Sequence, residues 1–273
     1  MTVIVVPVAN RPECAHALDV AFNLSARVGG QVVGYHLHPD AQVSKKNRRH
    51  TQSSEEAFGL FEEMAGKAGI PIKNKITTAP GPAAHWREMV GSPDKVMPII
   101  GPLSNIFVVS RPKGSGKGRH GKLAREFMLE ALRSSSRPTL ILPQRKLGSL
   151  GKRVLIAWDQ STTSVQALIG ALPILKQADE VVIHSAGADY RAAPKANHAK
   201  AFLAMHNVKA RITKSKGLKI EREIEQAYDD HNADLLVMGA YSRSRFLERL
   251  LGGTSEHFII QANIPVLAMH LPA

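Results

Sequence analysis

A single cysteine in 273 residues, Cys14, excludes an internal disulfide framework and suits a reducing compartment. It sits among Ala15, Ala17 and Leu18, where a packing thiol is expected rather than a reactive one. Aromatic residues make up only 5% of the chain, and none interleave with its basic segments. The stacking surface of a single-strand nucleic-acid binder is therefore lacking. No apolar run reaches the roughly 18 residues that cross a membrane. The opening Met1-Thr2-Val3-Ile4-Val5-Val6-Pro7 lacks the basic lead and long apolar stretch of a secretory signal and reads as a strand. A cytoplasmic protein is expected.

Acid is also short. Lys and Arg number 36 against 23 Asp and Glu, a formal charge of +13. Such an excess raises the question of nucleic acid or an anionic surface. The positive residues are spread over several segments, and no helix-turn-helix or RNP pattern accompanies them, so specific nucleic-acid binding is not expected. The twelve histidines are scattered, with no Cys/His pair or HExxH at metal-ligand spacing. No GxSxG elbow anchors a serine hydrolase. Lys113-Gly114-Ser115-Gly116-Lys117-Gly118-Arg119 resembles a phosphate loop but fails GxxxxGK[ST], because Gly118 follows Lys117. A flexible basic loop is the better reading.

What is present is a pattern written twice. Val3-Ile4-Val5-Val6-Pro7-Val8 is a short apolar run followed by a helical stretch from Pro12 to Val28; Val154-Leu155-Ile156-Ala157-Trp158-Asp159 is followed by one from Thr162 to Lys176. Each helix leads into a further strand, 31–37 and 180–185. Each half later carries a buried strand, 105–110 and 234–239, then a helix and a Pro-led closing strand from Pro138 or Pro265. Continuously apolar strands alternating with helix-length segments indicate a parallel sheet covered on both faces. The second half reads as strand 153–158, helix 162–177, strand 180–185, helix 194–206, strand 208–213, helix 219–231, strand 234–239, helix 253–262 and strand 265–270. Its third strand alternates, as an edge strand does. The Gly- and charge-rich stretch Gln144 to Gly151 separates the halves, giving domains at 1–147 and 148–273.

The most chemically suggestive stretch is Leu235-Leu236-Val237-Met238-Gly239-Ala240-Tyr241-Ser242-Arg243-Ser244-Arg245, followed by Leu251-Gly252-Gly253-Thr254-Ser255. An apolar strand runs into a small basic loop, and a glycine pair opens a helix. Unpaired backbone N–H groups in such a place suit an anion, most often a nucleotide phosphate. In an open α/β sheet, ligands bind beyond the C-terminal strand ends where the winding reverses. Asp159 and Gly239 would flank that crevice. Gly239 would let backbone approach the ligand, Thr254 and Ser255 would add hydroxyl donors, and Arg243 and Arg245 charge-assisted ones. Each has an alternative: a helix entry at Gly252-Gly253, a helix cap shared by Asp159 and Ser161, and solvated arginines.

This arrangement resembles the universal stress protein family in its tandem form. The family's spaced glycines fall on Gly239 and Gly252, with Ser242 in place of the second glycine; its hydroxyl position falls on Gly253, with Thr254 and Ser255 next. The resemblance implies two Rossmann-like domains of the adenine nucleotide alpha hydrolase-like type, each an open five-stranded parallel sheet with helices on both faces. It implies an adenine-nucleotide sensor or interaction module in bacterial stress response. Such a protein would bind ATP or AMP, with Mg²⁺ as an accompanying ion, through Asp159, Met238, Gly239, Ser242, Arg243, Arg245, Gly252, Gly253, Thr254 and Ser255. Hydrolysis would be slow or absent, since Asp159 is the only general base in sight. A nucleotide-free interaction protein of the same fold is the alternative. The halves are expected to form an intramolecular pseudo-dimer, and a homodimer is open. The first half departs from the motif, with Ala9-Asn10 in place of Asp, Ser110-Arg111 in place of Gly, and Arg125-Glu126 where Gly252-Gly253 stand.

Overall fold

The computed structural model describes residues 2–38, 48–75, 81–112, 119–185, 193–215, 217, 219–241 and 254–271. The chain divides into two compact units, Met1–Gln144 and Arg145–Ala273.

In the first unit, β1 (Val3–Pro7), α1 (Pro12–Val28), β2 (Gln31–His38), α2 (Arg48–Lys67), β3 (Ala83–Val90), α3 (Pro93–Ile100), β4 (Ile106–Ser110), α4 (Arg119–Ser134) and β5 (Thr139–Leu142) follow in chain order. The strands lie in the order β3-β2-β1-β4-β5, and every pairing between them is parallel. Strand β1 steps outward to β2 and β3, then the chain crosses back to β4. Helices α1 and α2 pack together on one face, and α3 and α4 on the other, as right-handed crossovers in opposite directions require. Helix α1 illustrates the local logic. Pro12 opens it, where a missing N–H costs nothing, and Gly29 closes it at φ 66°, donating its N–H to Ser25 O. Its apolar face meets the sheet, with Leu18, Ala21 and Phe22 fully buried.

The second unit repeats this winding with β6 (Arg153–Trp158), α5 (Thr162–Leu175), β7 (Glu180–Ser185), α6 (Ala196–Met205), β8 (Arg211–Lys214), α7 (Ile220–Asp230), β9 (Leu235–Gly239), α8 (Thr254–Glu256) and β10 (Val266–Met269). The order is β10-β9-β6-β7-β8, again with parallel pairings. The central strands β6 and β9 are buried on both faces, which explains their unbroken apolar runs. Each unit is thus an open α/β sheet with helices on both faces.

Two elements differ from the sequence expectation. The third strand of this unit begins at Arg211 rather than 208, because Val208 tucks into the core at 4% exposure before pairing starts. Among the described residues the last helix is α-helical over Thr254–Glu256 and then widens into a π-helical turn, His257–Gln261. The start of the unit is fastened by Asp234. Its carboxylate accepts from the Ser149 hydroxyl (2.7 Å), the Lys152 N–H (3.1 Å) and the Arg153 N–H (3.0 Å).

Candidate functional site

Strands β6 and β9 are neighbours from which the chain departs in opposite directions, so a crevice is expected beyond their C-terminal ends. Strand β6 ends at Trp158, 2% exposed, whose indole N–H donates to Pro194 O at 3.0 Å. The ring is a packing group that fixes the approach to α6. Asp159 follows. Its Oδ1 accepts from both the N–H (3.0 Å) and the hydroxyl (2.5 Å) of Ser161. Ser161 in turn caps α5, accepting from Ser164 N–H at 3.1 Å. The capping role and the strand-end position of Asp159 therefore coexist. Between them Gln160 adopts φ 66°, a left-handed conformation that a non-glycine residue takes at a cost of about 1–2 kcal/mol. Its side-chain oxygen accepts from Lys195 Nζ at 3.4 Å.

Strand β9 ends at Met238 and Gly239. The Met238 side chain is buried, opposite Ala157 on one side and Ala268 on the other. A Cβ on Gly239 would lie 2.6 Å from Ser164 N, 2.6 Å from Thr163 Oγ1 and 2.9 Å from Thr163 C. Glycine is needed here because the first turn of α5 presses on the strand. The sequence suggested room for a ligand; the structure supplies a packing reason. Two residues on, Tyr241 also takes a left-handed conformation, φ 55°. Its N–H donates to Ser255 Oγ at 3.2 Å, and its ring meets His270 edge-on at 5.7 Å. Asn207 and Asn232, also at positive φ, simply close α6 and α7, a common role for asparagine. Gln160 and Tyr241 have no such helix to close. They stand at the ends of the two strands that flank the switch point, where strain is often retained for function.

The chain returns at α8. Thr254 donates its hydroxyl to Glu221 Oε1 at 2.8 Å, and His257 Nε2 lies 2.6 Å from Glu225 Oε1. Both carboxylates project from α7, which therefore holds the start of the last helix. Burial pushes the Glu221 carboxyl up. Its own backbone N–H, the Thr254 hydroxyl and the Lys219 charge more than offset this, leaving it below the usual carboxylate range. Lys219 Nζ lies 3.8 Å from Glu221 Oε2.

Of the ten residues expected at a nucleotide site, five are described: Asp159, Met238, Gly239, Thr254 and Ser255. Four of them are joined through short links. Asp159 reaches Thr163 through Ser161, whose hydroxyl is 2.9 Å from Thr163 Oγ1. Thr163 abuts Gly239, and Tyr241 bonds Ser255, next to Thr254. Ser242, Arg243, Arg245, Gly252 and Gly253 lie outside the described residues. The sequence reading missed Gln160, Tyr241 and Glu221. The first two are marked only by backbone angle. Glu221 is 33 residues from its partner Thr254, beyond any motif spacing.

The first unit presents different chemistry at the matching strand ends. Asn10 stands where the second unit has Asp159 and donates its amide to Glu56 Oε2 of α2 at 3.3 Å. Ser110 and the buried Arg111 stand at the end of β4, and burial draws the Arg111 pKa down to about 10. Helix α4 runs from Arg119, so Arg125 and Glu126, which align with Gly252-Gly253, lie within it and are exposed. Cys14 is a packing thiol, held near Ala9 N–H at 3.4 Å, with burial pushing its pKa up to about 11. Among the described residues, no group of three or more His, Cys, Asp or Glu is arranged to hold a metal ion, and no helix is long and apolar enough to cross a membrane. A cavity of about 310 Å³ in the second unit lies at the opposite, N-terminal ends of β6, β7 and β8, lined by Arg153, Glu180 and Arg211. Its arginines are engaged: Arg153 Nε donates to Asn232 O at 2.6 Å, and Arg211 pairs with Glu180.

Residues 151–270 match the model of the universal stress protein family, and the second unit is a domain of that family. A universal stress protein from Archaeoglobus fulgidus DSM 4304 is similar over 98% of this chain and 97% of its own, with a TM-score of 0.71 at 19% identity. A functionally unknown protein from Pseudomonas aeruginosa PAO1 is similar over 98% of this chain and 92% of its own, at TM-score 0.55 and 14% identity. At such identities the likeness is one of fold, and it extends across both units. A universal stress protein solved in complex with cAMP covers 53% of this chain and 98% of its own, at TM-score 0.39 and 16% identity. No curated protein sequence matches the chain.

Proposed function

We propose that the second unit binds an adenine nucleotide beyond the ends of β6 and β9 and that the protein acts as a nucleotide-responsive module of the universal stress type. The observation that carries this reading is the pair of left-handed residues, Gln160 and Tyr241, at the two strand ends flanking the switch point of a family domain. In this reading Asp159 accepts from a ribose hydroxyl or the adenine amine. Ser255, whose oxygen accepts from Tyr241, keeps its hydroxyl hydrogen to donate to phosphate. Arg243, Arg245 and the amides of Gly252 and Gly253 supply the remaining phosphate contacts, with Ser242 shaping the pocket and Met238 its floor. Micromolar affinity needs roughly 8 kcal/mol, far more than one helix end provides, so adenine burial and several phosphate bonds must act together. Mg²⁺ would arrive with ATP, held chiefly by its phosphates. Hydrolysis is at most slow, because Asp159 is already an acceptor for Ser161.

A second reading, a nucleotide-free interaction protein, draws on the same bonds: Asp159 and Thr254 both have partners within the chain. Mass spectrometry of small molecules carried through purification, followed by melting with millimolar AMP and ATP, separates the two. The nucleotide reading expects adenine nucleotide in the extract and a raised melting temperature. An empty extract with no shift favours the interaction protein.

A further inference from the structure

The Thr254 hydroxyl has one hydrogen to donate, and Glu221 takes it at 2.8 Å. A phosphate oxygen and a carboxylate cannot both accept that hydrogen. If both crowd the same hydroxyl oxygen, their acceptor atoms stand within roughly 5 Å of each other, since each bond spans about 2.8 Å. Glu221 is anionic at neutral pH and partly buried, with 17% of its side chain exposed, so its field is incompletely screened. Its one described cationic neighbour within 4 Å, Lys219, is 76% exposed and offsets it only in part. Glu225 adds a second carboxylate one turn along α7, engaged by His257.

We infer that Glu221 is a specificity-determining residue that ranks ligands by phosphate charge, favouring adenosine and AMP over ATP. The inference rests on the nucleotide reading of this crevice. A neutral nucleoside leaves the Thr254–Glu221 bond intact. A phosphate chain reaching Thr254 must displace Glu221 or lie beside it, and the cost grows with the ligand's charge. Glu221 thus occupies the anion position from within the chain.

Calorimetric titration of the full chain with adenosine, AMP and ATP at one ionic strength tests this in the wild type, Glu221→Gln and Lys219→Gln. Glutamine still accepts from Thr254 but carries no charge. Glu221→Gln should bind ATP about tenfold more tightly and adenosine within twofold of wild type. Lys219→Gln, a change at an exposed side chain that leaves the fold untouched, should weaken ATP a few-fold. The two opposite shifts together support the inference. If all three proteins bind ATP within twofold of one another, Glu221 does not rank the ligands and the nucleotide reading stands. If none binds adenosine, AMP or ATP, the nucleotide reading and this inference fall together.

Discussion

Gly239 shows how one residue serves two arguments. A methyl group there would press on the backbone of Thr163 and Ser164 at 2.6–2.9 Å. Gly239→Ala should therefore lower stability by about 2 kcal/mol, the usual cost of overpacking, read as a fall in the urea midpoint with unchanged slope. An unchanged midpoint would mean that α5 can shift freely. Ser161→Ala removes the α5 cap and the hydroxyl donor to Asp159 but keeps the backbone N–H bond to it, and should cost about 1 kcal/mol in the same assay. The glycine was legible in the sequence, but its reason was not. A strand-loop-glycine pattern shows where small residues stand, whereas the helix turn that makes one necessary is 75 residues upstream. The positive φ of Gln160 and Tyr241 had no compositional mark at all, since neither residue type favours that region.

Whole elements are held by polar fasteners as well as by apolar faces. Asp234, just ahead of β9, gathers three donors from the segment entering β6. Asp234→Asn keeps one acceptor oxygen, replaces the other with an amide that cannot accept, and should destabilise the second unit by about 2 kcal/mol in urea unfolding. In the first unit, Glu88 on β3 ties β2 and α2 together. Its Oε1 accepts from Ser54 (2.5 Å) and the Trp86 indole (3.0 Å), and its Oε2 faces His38 Nε2 (3.0 Å). Burial pushes the carboxyl up, but these bonds win, and its pKa falls from 4.5 to about 2. A depressed carboxylate adds stability that is fully present above its unfolded value and is lost as pH falls toward its folded one. Stability should therefore decline from about pH 4.5 toward about pH 2, and Glu88→Gln should flatten that decline in urea midpoints measured across the range. Equal slopes in both proteins would remove Glu88 from the account. The strands were legible because a two-faced sheet leaves a continuous apolar run. Strand β3 was not, because His85, Trp86, Arg87 and Glu88 break the run that marks its neighbours.

At the scale of the whole molecule, duplication of the fold does not extend to the residues at the strand ends. Both units have the same winding, yet only the second has an Asp after its first strand and a Gly closing its fourth. The first has Asn10 bonded to Glu56, Ser110 and a helix already under way at Arg119. The repeat was legible because hydrophobic order determines the winding; the difference between the two sets of strand-end residues was legible because it changes charge and backbone freedom at fixed positions. What no reading of the chain offered was the α7 contact at Thr254, which only folding brings together. Equilibrium dialysis of the full chain against labelled AMP, at physiological salt so that the +13 charge is screened, tests the account most directly. Saturation at one AMP per chain, abolished by changes in the second unit alone, is the expected result. Saturation at two per chain, or no retention of AMP at millimolar concentration, would contradict it.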